Sequence, residues 1–530
     1  MSKPFNQNEA RPVLRNIVPQ TFWLMIFWIL VFQNTYASDY NIKNYGAVPD
    51  GKTIGTAFIQ KAIDDCSING GGRVLVPAGI YLTGSIRLKS NVELHLETGA
   101  TIIGSTQHTD YPAIGGERGL IFGINIENVS ITGFGEINGN GKAFFKGDNA
   151  PDRPFLVMFK NSRKINVSGI TLKNSAFWTF HLSHNDGVIV NGIRIYSHVN
   201  YNNDGIDIDS KNVVISNCII DTDDDALCFK SDSAFLCENV VVSNCRLASN
   251  CNFIKMGTAS VGGFKNISIS NCALSKASES NFRFWNKNVP GVTDSITGIA
   301  GIALEIVDGG DMDKINISNI TMEGVQTPIF IRLGSRNNPT GSLKNVMISN
   351  ITAKSYSHIP SIVTAIPGFY IENVVLKNIL IDSKGGGTVG DVHIIIPEKE
   401  KEYPENRMFG SSIPAYGLFV RHVKNLTIDN LQLNLFAPDA RPALYIEDGE
   451  EIKINNLRAA VPVNNQPVIW LNQVENLLLS GYSPNQNVPL FLSLQGSHTH
   501  NILLSNNNLE NIKTVWIKNA TVKSDALKIK

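Results

Sequence analysis

Apolar and polar residues alternate one by one through most of this chain, and the alternation repeats. The run Lys211-Asn212-Val213-Val214-Ile215-Ser216-Asn217-Cys218 is echoed by Glu238-Asn239-Val240-Val241-Val242-Ser243-Asn244-Cys245 and by Lys265-Asn266-Ile267-Ser268-Ile269-Ser270-Asn271-Cys272, so Ser-Asn-Cys recurs every 27 residues. Looser copies begin at Lys164, Lys314, Lys344, Glu372, Lys424 and Glu451, each leading into alternating Val, Ile and Leu and closing on Asn or Gly. A fixed period in this range marks a chain built from one repeated unit. Alternation of period two with Gly and Asn punctuation makes that unit strand, not helix. Parallel stacking about 4.8 Å apart buries the inward residues as ladders of like side chains. The predicted fold is all-β: a right-handed, single-stranded parallel β-helix, a solenoid of about ten or more turns. A short amphipathic helix over Ile59 to Cys66, followed by Gly70-Gly71-Gly72 and the strand Arg73 to Val76, is placed to cap its N-terminal end.

The N-terminus breaks the pattern. Lys3, Arg11 and Arg15 precede an apolar run from Phe22 to Phe32, and Thr35-Tyr36-Ala37 offers small residues at the positions a signal peptidase reads. The run is too short for an ordinary membrane span. Residues 1–37 are therefore predicted to be a signal peptide and 38–530 one β domain, secreted or periplasmic and without stable membrane insertion. No Pro/Ser-rich linker divides that domain, and the insertions at 276–300 and 397–414 read as loops. The segment after about residue 460 has a weaker pattern and either continues the stack or covers its end.

Charge narrows the function. With 46 Lys and Arg against 46 Asp and Glu the chain carries no net charge, which disfavours a nucleic-acid partner. The seven cysteines, Cys66, Cys218, Cys228, Cys237, Cys245, Cys251 and Cys272, include the three of the repeat. They predict a buried column of thiols, and no His/Cys spacing suggests a metal site or a cofactor.

Carboxylates concentrate in one place. Asn202-Asn203-Asp204-Gly205-Ile206-Asp207-Ile208-Asp209 is followed by Asp223-Asp224-Asp225-Ala226-Leu227-Cys228-Phe229-Lys230, and the 21 residues from Asp204 to Asp225 are close to one repeat. Stacked carboxylates repel one another, a cost that a ligand or a reaction has to offset. With Ile206 and Ile208 inward, Asp207 faces out; by the same rule so do Lys255 between Ile254 and Met256, Glu305 between Leu304 and Ile306, and Arg332 between Ile331 and Leu333. A groove with charges of both signs suits a polyhydroxylated carbohydrate, neutral or acidic. Phe177-Trp178 with His181 offers a wall on which a sugar could stack. Phe282, Arg283, Phe284 and Trp285 could roof the groove, and Arg421-His422 reads as structural.

At these residues the sequence resembles glycoside hydrolase family 28, the polygalacturonases and rhamnogalacturonase-like pectin hydrolases. Asn202-Asn203-Asp204 matches the family's Asn-Thr-Asp apart from the middle residue, and Asp224-Asp225 matches its Asp-Asp. Two motifs depart: Asn252 stands where the histidine of Gly-His-Gly would be, and Ala303-Leu304-Glu305 falls where Arg-x-Lys would. The resemblance implies hydrolysis of pectin-type polysaccharide, with Asp224 as general acid and Asp204 and Asp225 activating water for a single displacement with inversion. Asn202, Asp207, Asn252, Lys255, Glu305, Arg332, Trp178 and His181 are the expected substrate-binding set. A polysaccharide or oligosaccharide is the expected partner, and a monomer the expected state. Two other readings stay open: a calcium-dependent lyase of the pectate-lyase type, and a β-helix that only binds glycans.

Overall fold

The computed structural model describes residues 1, 2, 39–145, 152–281, 289, 292, 293, 297–337 and 339–530. The chain divides into two compact units, Met1–Asp39 and Tyr40–Lys530. Most of the first, with the predicted signal segment, lies outside the described residues, as does Phe282-Arg283-Phe284-Trp285. No helix among the described residues is long and apolar enough to cross a membrane.

The alternation seen in the sequence becomes an inside and an outside. Val213 and Ile215 are fully buried while Val214 between them is 42% exposed, and Val240 and Val242 repeat this around an exposed Val241. The register Val213↔Val240↔Ile267↔Ile315↔Val346↔Val374↔Leu426 carries the inward column through seven layers, all paired in parallel. Asparagines take the corners between ladders. Asn212, Asn239 and Asn266 adopt left-handed backbone (φ 56, 57 and 53), which Asn tolerates better than most residues. Their amides bond layer to layer, Asn239 Nδ2 to Asn212 Oδ1 at 3.0 Å and Asn266 Nδ2 to Asn239 Oδ1 at 2.8 Å. Cys218, Cys245 and Cys272 form a buried file in which each thiol donates to the carbonyl two residues earlier; all seven cysteines are free and buried.

The expected architecture is corrected at the level of the sheet. An open right-handed solenoid of separate strands should keep its ladders apart, yet the 35 strands among the described residues all join one hydrogen-bonded sheet. The strand Leu418–Leu435 runs unbroken through three ladders: Phe419 pairs with Ile362, Leu426 with Val374 and Leu431 with Ile379. The strand Asp311–Leu333 does the same, joining those ladders in another order. The result is an all-β, all-parallel sheet closed around its core like a barrel. The reason is in the corners: where an Asn or Lys bends the backbone without interrupting the hydrogen bonds, one strand serves two or three sides.

The helix Thr56–Ile68 turns Ile59, Ala62, Ile63 and Cys66 into the core and packs against the strands Gly72–Val76 and Val92–Leu96. Gly71 must be a glycine, because a Cβ there would stand 2.4 Å from the Asn91 carbonyl oxygen. After residue 460 the strands Ile469–Ser480, Val488–Gln495 and His500–Ser505 continue the ladders to the end of the chain.

Candidate active site

The site lies on the outside of one ladder, where the turns before the strands Ile206–Ser216, Leu227–Ser231 and Asn252–Ser260 come together. The turn 200–204 is set by buried polar groups. Asn203 donates from Nδ2 to the Ser175 carbonyl at 2.7 Å and accepts the Asn200 amide at 2.8 Å. Arg153, buried, donates to Asn202 Oδ1 at 2.7 Å and to the Tyr201 carbonyl. In the next layer Asp224 Oδ1 accepts the Asp225 amide at 3.0 Å, and the Gly205 amide reaches the Asp225 carbonyl at 2.8 Å, locking the two turns in register.

These turns surround a cavity of about 340 Å³ lined by Trp178, Asn202, Asp204, Asp224, Asp225, Lys230, Cys251, Asn252, Lys255, Thr258, Ile299, Tyr403, Pro404 and Glu405. Asp225 is held on both of its oxygens. Its Oδ1 accepts the Asn252 amide at 3.1 Å and Asn252 Nδ2 at 2.7 Å, while Oδ2 lies 3.2 Å from Lys255 Nζ. Burial alone would raise its pKa, but Lys255, Lys230 and Asn252 outweigh it and hold the group at about 2. Asp204 goes the other way: burial, then the neighbouring Asp207 and Asp224 carboxylates, push it well above the usual range, with Lys230 at 3.6 Å opposing. The cleft thus pushes the pKa values of neighbouring carboxylates in opposite directions.

Two lysines organise the charge. Lys230 Nζ lies 3.2 Å from Asp207 and 4.3 Å above the Trp178 ring. Lys255 donates to the Tyr403 hydroxyl at 2.9 Å. Asp207 faces away from the core as expected, but it is completely buried beneath Lys230, and burial pushes it up to about 7. His181, next to it in the ladder, is held down to about 3 by burial and by Lys230, so its ring is neutral and packs against Phe155 and Trp178.

The other predicted residues fall elsewhere. Lys255 shares its row with Ala303 and Phe330, whereas Glu305 shares a row with Arg332, Thr364 and Arg421. Glu305 is buried beside Gly257, outside the cavity lining, and burial pushes it up to about 8. Arg332 is turned away from the cleft, donating to Thr364 Oγ1 and to the carbonyls of Ala365, Glu398 and Lys399 at 2.8 to 3.2 Å. It anchors the segment that carries Tyr403. Lys230, Tyr403 and Glu405 were missed by sequence reasoning. Lys230 was legible, since it follows Cys228 by two and so shares the outward side with Asp207. Tyr403 was not, because its insertion has no periodicity to place it.

The fold and the cleft define a class of all-β proteins that carry a carboxylate site on the outer side of a parallel sheet. The exopolygalacturonase of Thermotoga maritima shares this fold, with a TM-score of 0.59 at 21% identity over 75% of this chain and 92% of that one. The chain belongs to glycosyl hydrolases family 28, whose model matches residues 66–394, more than half of its length. A probable polygalacturonase of Vitis vinifera is 34% identical over 215 residues, 36% of this chain and 44% of that protein. An exo-poly-alpha-D-galacturonosidase of Dickeya chrysanthemi is 29% identical over 253 residues, 36% of this chain and 41% of that protein. The matches thus span less than half the length of these two relatives.

Proposed function

We propose that the protein is an exported glycoside hydrolase that cleaves pectin-type polysaccharide at the aspartate cleft. Asp224 protonates the leaving glycosidic oxygen, and the ionised Asp225 takes a proton from a water that Asp204 helps to orient, giving a single displacement with inversion. The observation that supports this best is the ionised Asp225, held at about 2 by Lys255, Lys230 and Asn252 on the same cavity wall as Asp224 and Asp204. Lys230 and Lys255 on the cavity wall favour a substrate bearing carboxylates, and Asn252 supplies the donor to Asp225 from the position where the family's histidine would stand.

The cleft also favours attack at a chain end. Beyond Lys255 the same outer face is filled: Ile396, Phe409 and Ile413 pack on Ala303, Phe330, Ile362 and Phe419 in a hydrophobic cluster, and Tyr403, Pro404 and Glu405 form the wall of the cavity. A polymer lying along the tube meets this segment at one end of the cavity.

The test is a product assay on polygalacturonan and on rhamnogalacturonan, comparing wild type with Asp224→Asn. The expected result is new reducing ends without ultraviolet absorbance, mostly as short products, reduced by about 10²–10⁴-fold in the variant. An unsaturated, absorbing product would mark a lyase and overturn these roles, and undiminished activity in Asp224→Asn would remove it as the acid.

A further inference from the structure

Three successive layers each present one donor at a point that the acid/base reading leaves unused. His184 sits at the irregularity between Ser183 and Asn185, where left-handed backbone (φ 55) takes it out of the ladder. Asp209, one layer on, is the partner of Ser183 in the register, and Asp232 follows the strand Leu227–Ser231. His184 Nε2 lies 3.3 Å from Asp209 Oδ2, 3.5 Å from Asp232 Oδ1 and 3.1 Å from Ser233 Oγ. The ring nitrogen and one oxygen of each carboxylate all fall within 4.8 Å of one another. Asp209 is 1% exposed, and beyond His184 its oxygens meet, among the described residues, only the amide and carboxyl of Asp232, with no well-formed hydrogen bond to either. The nearby lysine, Lys230, is paired with Asp204 and Asp207 instead. A carboxyl this deeply buried needs a proton or a counter-charge.

We propose that His184, Asp209 and Asp232 bind a divalent transition metal ion, with Zn²⁺ the best fit. A charge-assisted hydrogen bond between imidazolium and carboxylate would be about 2.7–2.9 Å, shorter than either contact to His184. Zinc bonds of about 2.0–2.2 Å set tetrahedral ligand atoms about 3.3–3.6 Å apart, which matches 3.3 and 3.5 Å. One imidazole with two carboxylates suits Zn²⁺ better than Ca²⁺ or Mg²⁺, which favour all-oxygen shells. Ser233 Oγ or a water would complete the coordination. The ion would tie together three layers close to the cleft, Asp209 being two residues from Asp207 and Asp232 two from Lys230. Linear spacing could not show this site, because its donors come from different layers.

The full chain, stripped with chelator, is titrated with Zn²⁺ by calorimetry, and its melting is followed with and without the ion. One Zn²⁺ per chain and a higher Tm are expected. Asp209→Asn is expected to weaken binding by roughly 100-fold and His184→Gln by at least roughly 10-fold, while Asp224→Asn binds as wild type. Should Asp209→Asn fail to fold, His184→Gln and the exposed Asp232→Asn carry the test, with circular dichroism confirming their metal-free fold. No uptake by wild type, or wild-type affinity in His184→Gln, would overturn the site. Loss of uptake in Asp224→Asn would do so too, by moving the ion to the aspartate cleft.

Discussion

Replacing Lys255 by Met should convert a stabilising carboxylate into a destabilising one. Lys255 Nζ and Asp225 Oδ2 are 3.2 Å apart, and both groups are buried. At an effective dielectric of about 20, unit charges at that distance attract by roughly 5 kcal/mol, equivalent to about 3–4 pKa units. Asp225 stands at about 2 because Lys255 and Lys230 overcome its burial. Without Lys255, its pKa should pass above the unfolded value of about 3.9. In wild type the folded pKa is depressed, so the stabilisation is present above about pH 4 and is lost as pH falls through about 2. In the variant the folded pKa is raised, and the sign reverses: stability falls as pH rises above about 4. Removing one partner of a buried pair costs about 3–5 kcal/mol, so this is the expected deficit at pH 7. By pH 3, where Asp225 of the variant has taken up its proton, the deficit should shrink to less than about half. Urea unfolding of wild type, Lys255→Met and Lys255→Met/Asp225→Asn at pH 3, 5 and 7 measures this directly. The reasoning is refuted if the deficit is the same at pH 3 and pH 7, or if the double variant recovers no stability at neutral pH.

Tyr403→Ala removes both the hydroxyl that accepts from Lys255 and one wall of the cavity; chromatography of the products should show longer oligosaccharides, and an unchanged product length would show that Tyr403 does not close the cleft. Ile215→Ala empties a fully buried position in the inward column and should cost about 2–5 kcal/mol in urea unfolding, whereas Val214→Ala on the exposed side of the same strand should stay within about 0.5 kcal/mol.

Much of the site was legible because its residues are local. Asp204, Asp224 and Asp225 sit in turns one repeat apart, and a repeat length close to 21 residues suffices to stack them; the structure places all three on one cavity. The lateral neighbours were harder. Reading Lys255, Glu305 and Arg332 as one row needs the register between layers, and the insertion between the strands Phe264–Lys276 and Gly298–Ile306 hides it. The observed pairing of Lys255 with Ala303 moves Glu305 and Arg332 two positions along the strand and out of the cleft. Burial was equally invisible. Alternation identifies the side of a strand that faces away from the core, but Asp207 lies on that side and is sealed by Lys230.

The sequence by itself determined what depends on short-range chemistry. Period-two alternation dictates strands, asparagines mark the corners where backbone must turn left-handed, and the 27-residue repeat stacks like on like. The tertiary structure alone decided how those layers join. Whether the ladders stay separate or fuse depends on hydrogen bonds that continue round a corner, as in Leu418–Leu435, and no residue pattern records that. It also decided which distant groups meet: Tyr403 reaches Lys255 across 148 positions, and His184, Asp209 and Asp232 converge from three layers. Such contacts are set by the closing of the sheet around its core, because burial energy depends on the area covered and not on the order in which the chain supplies it.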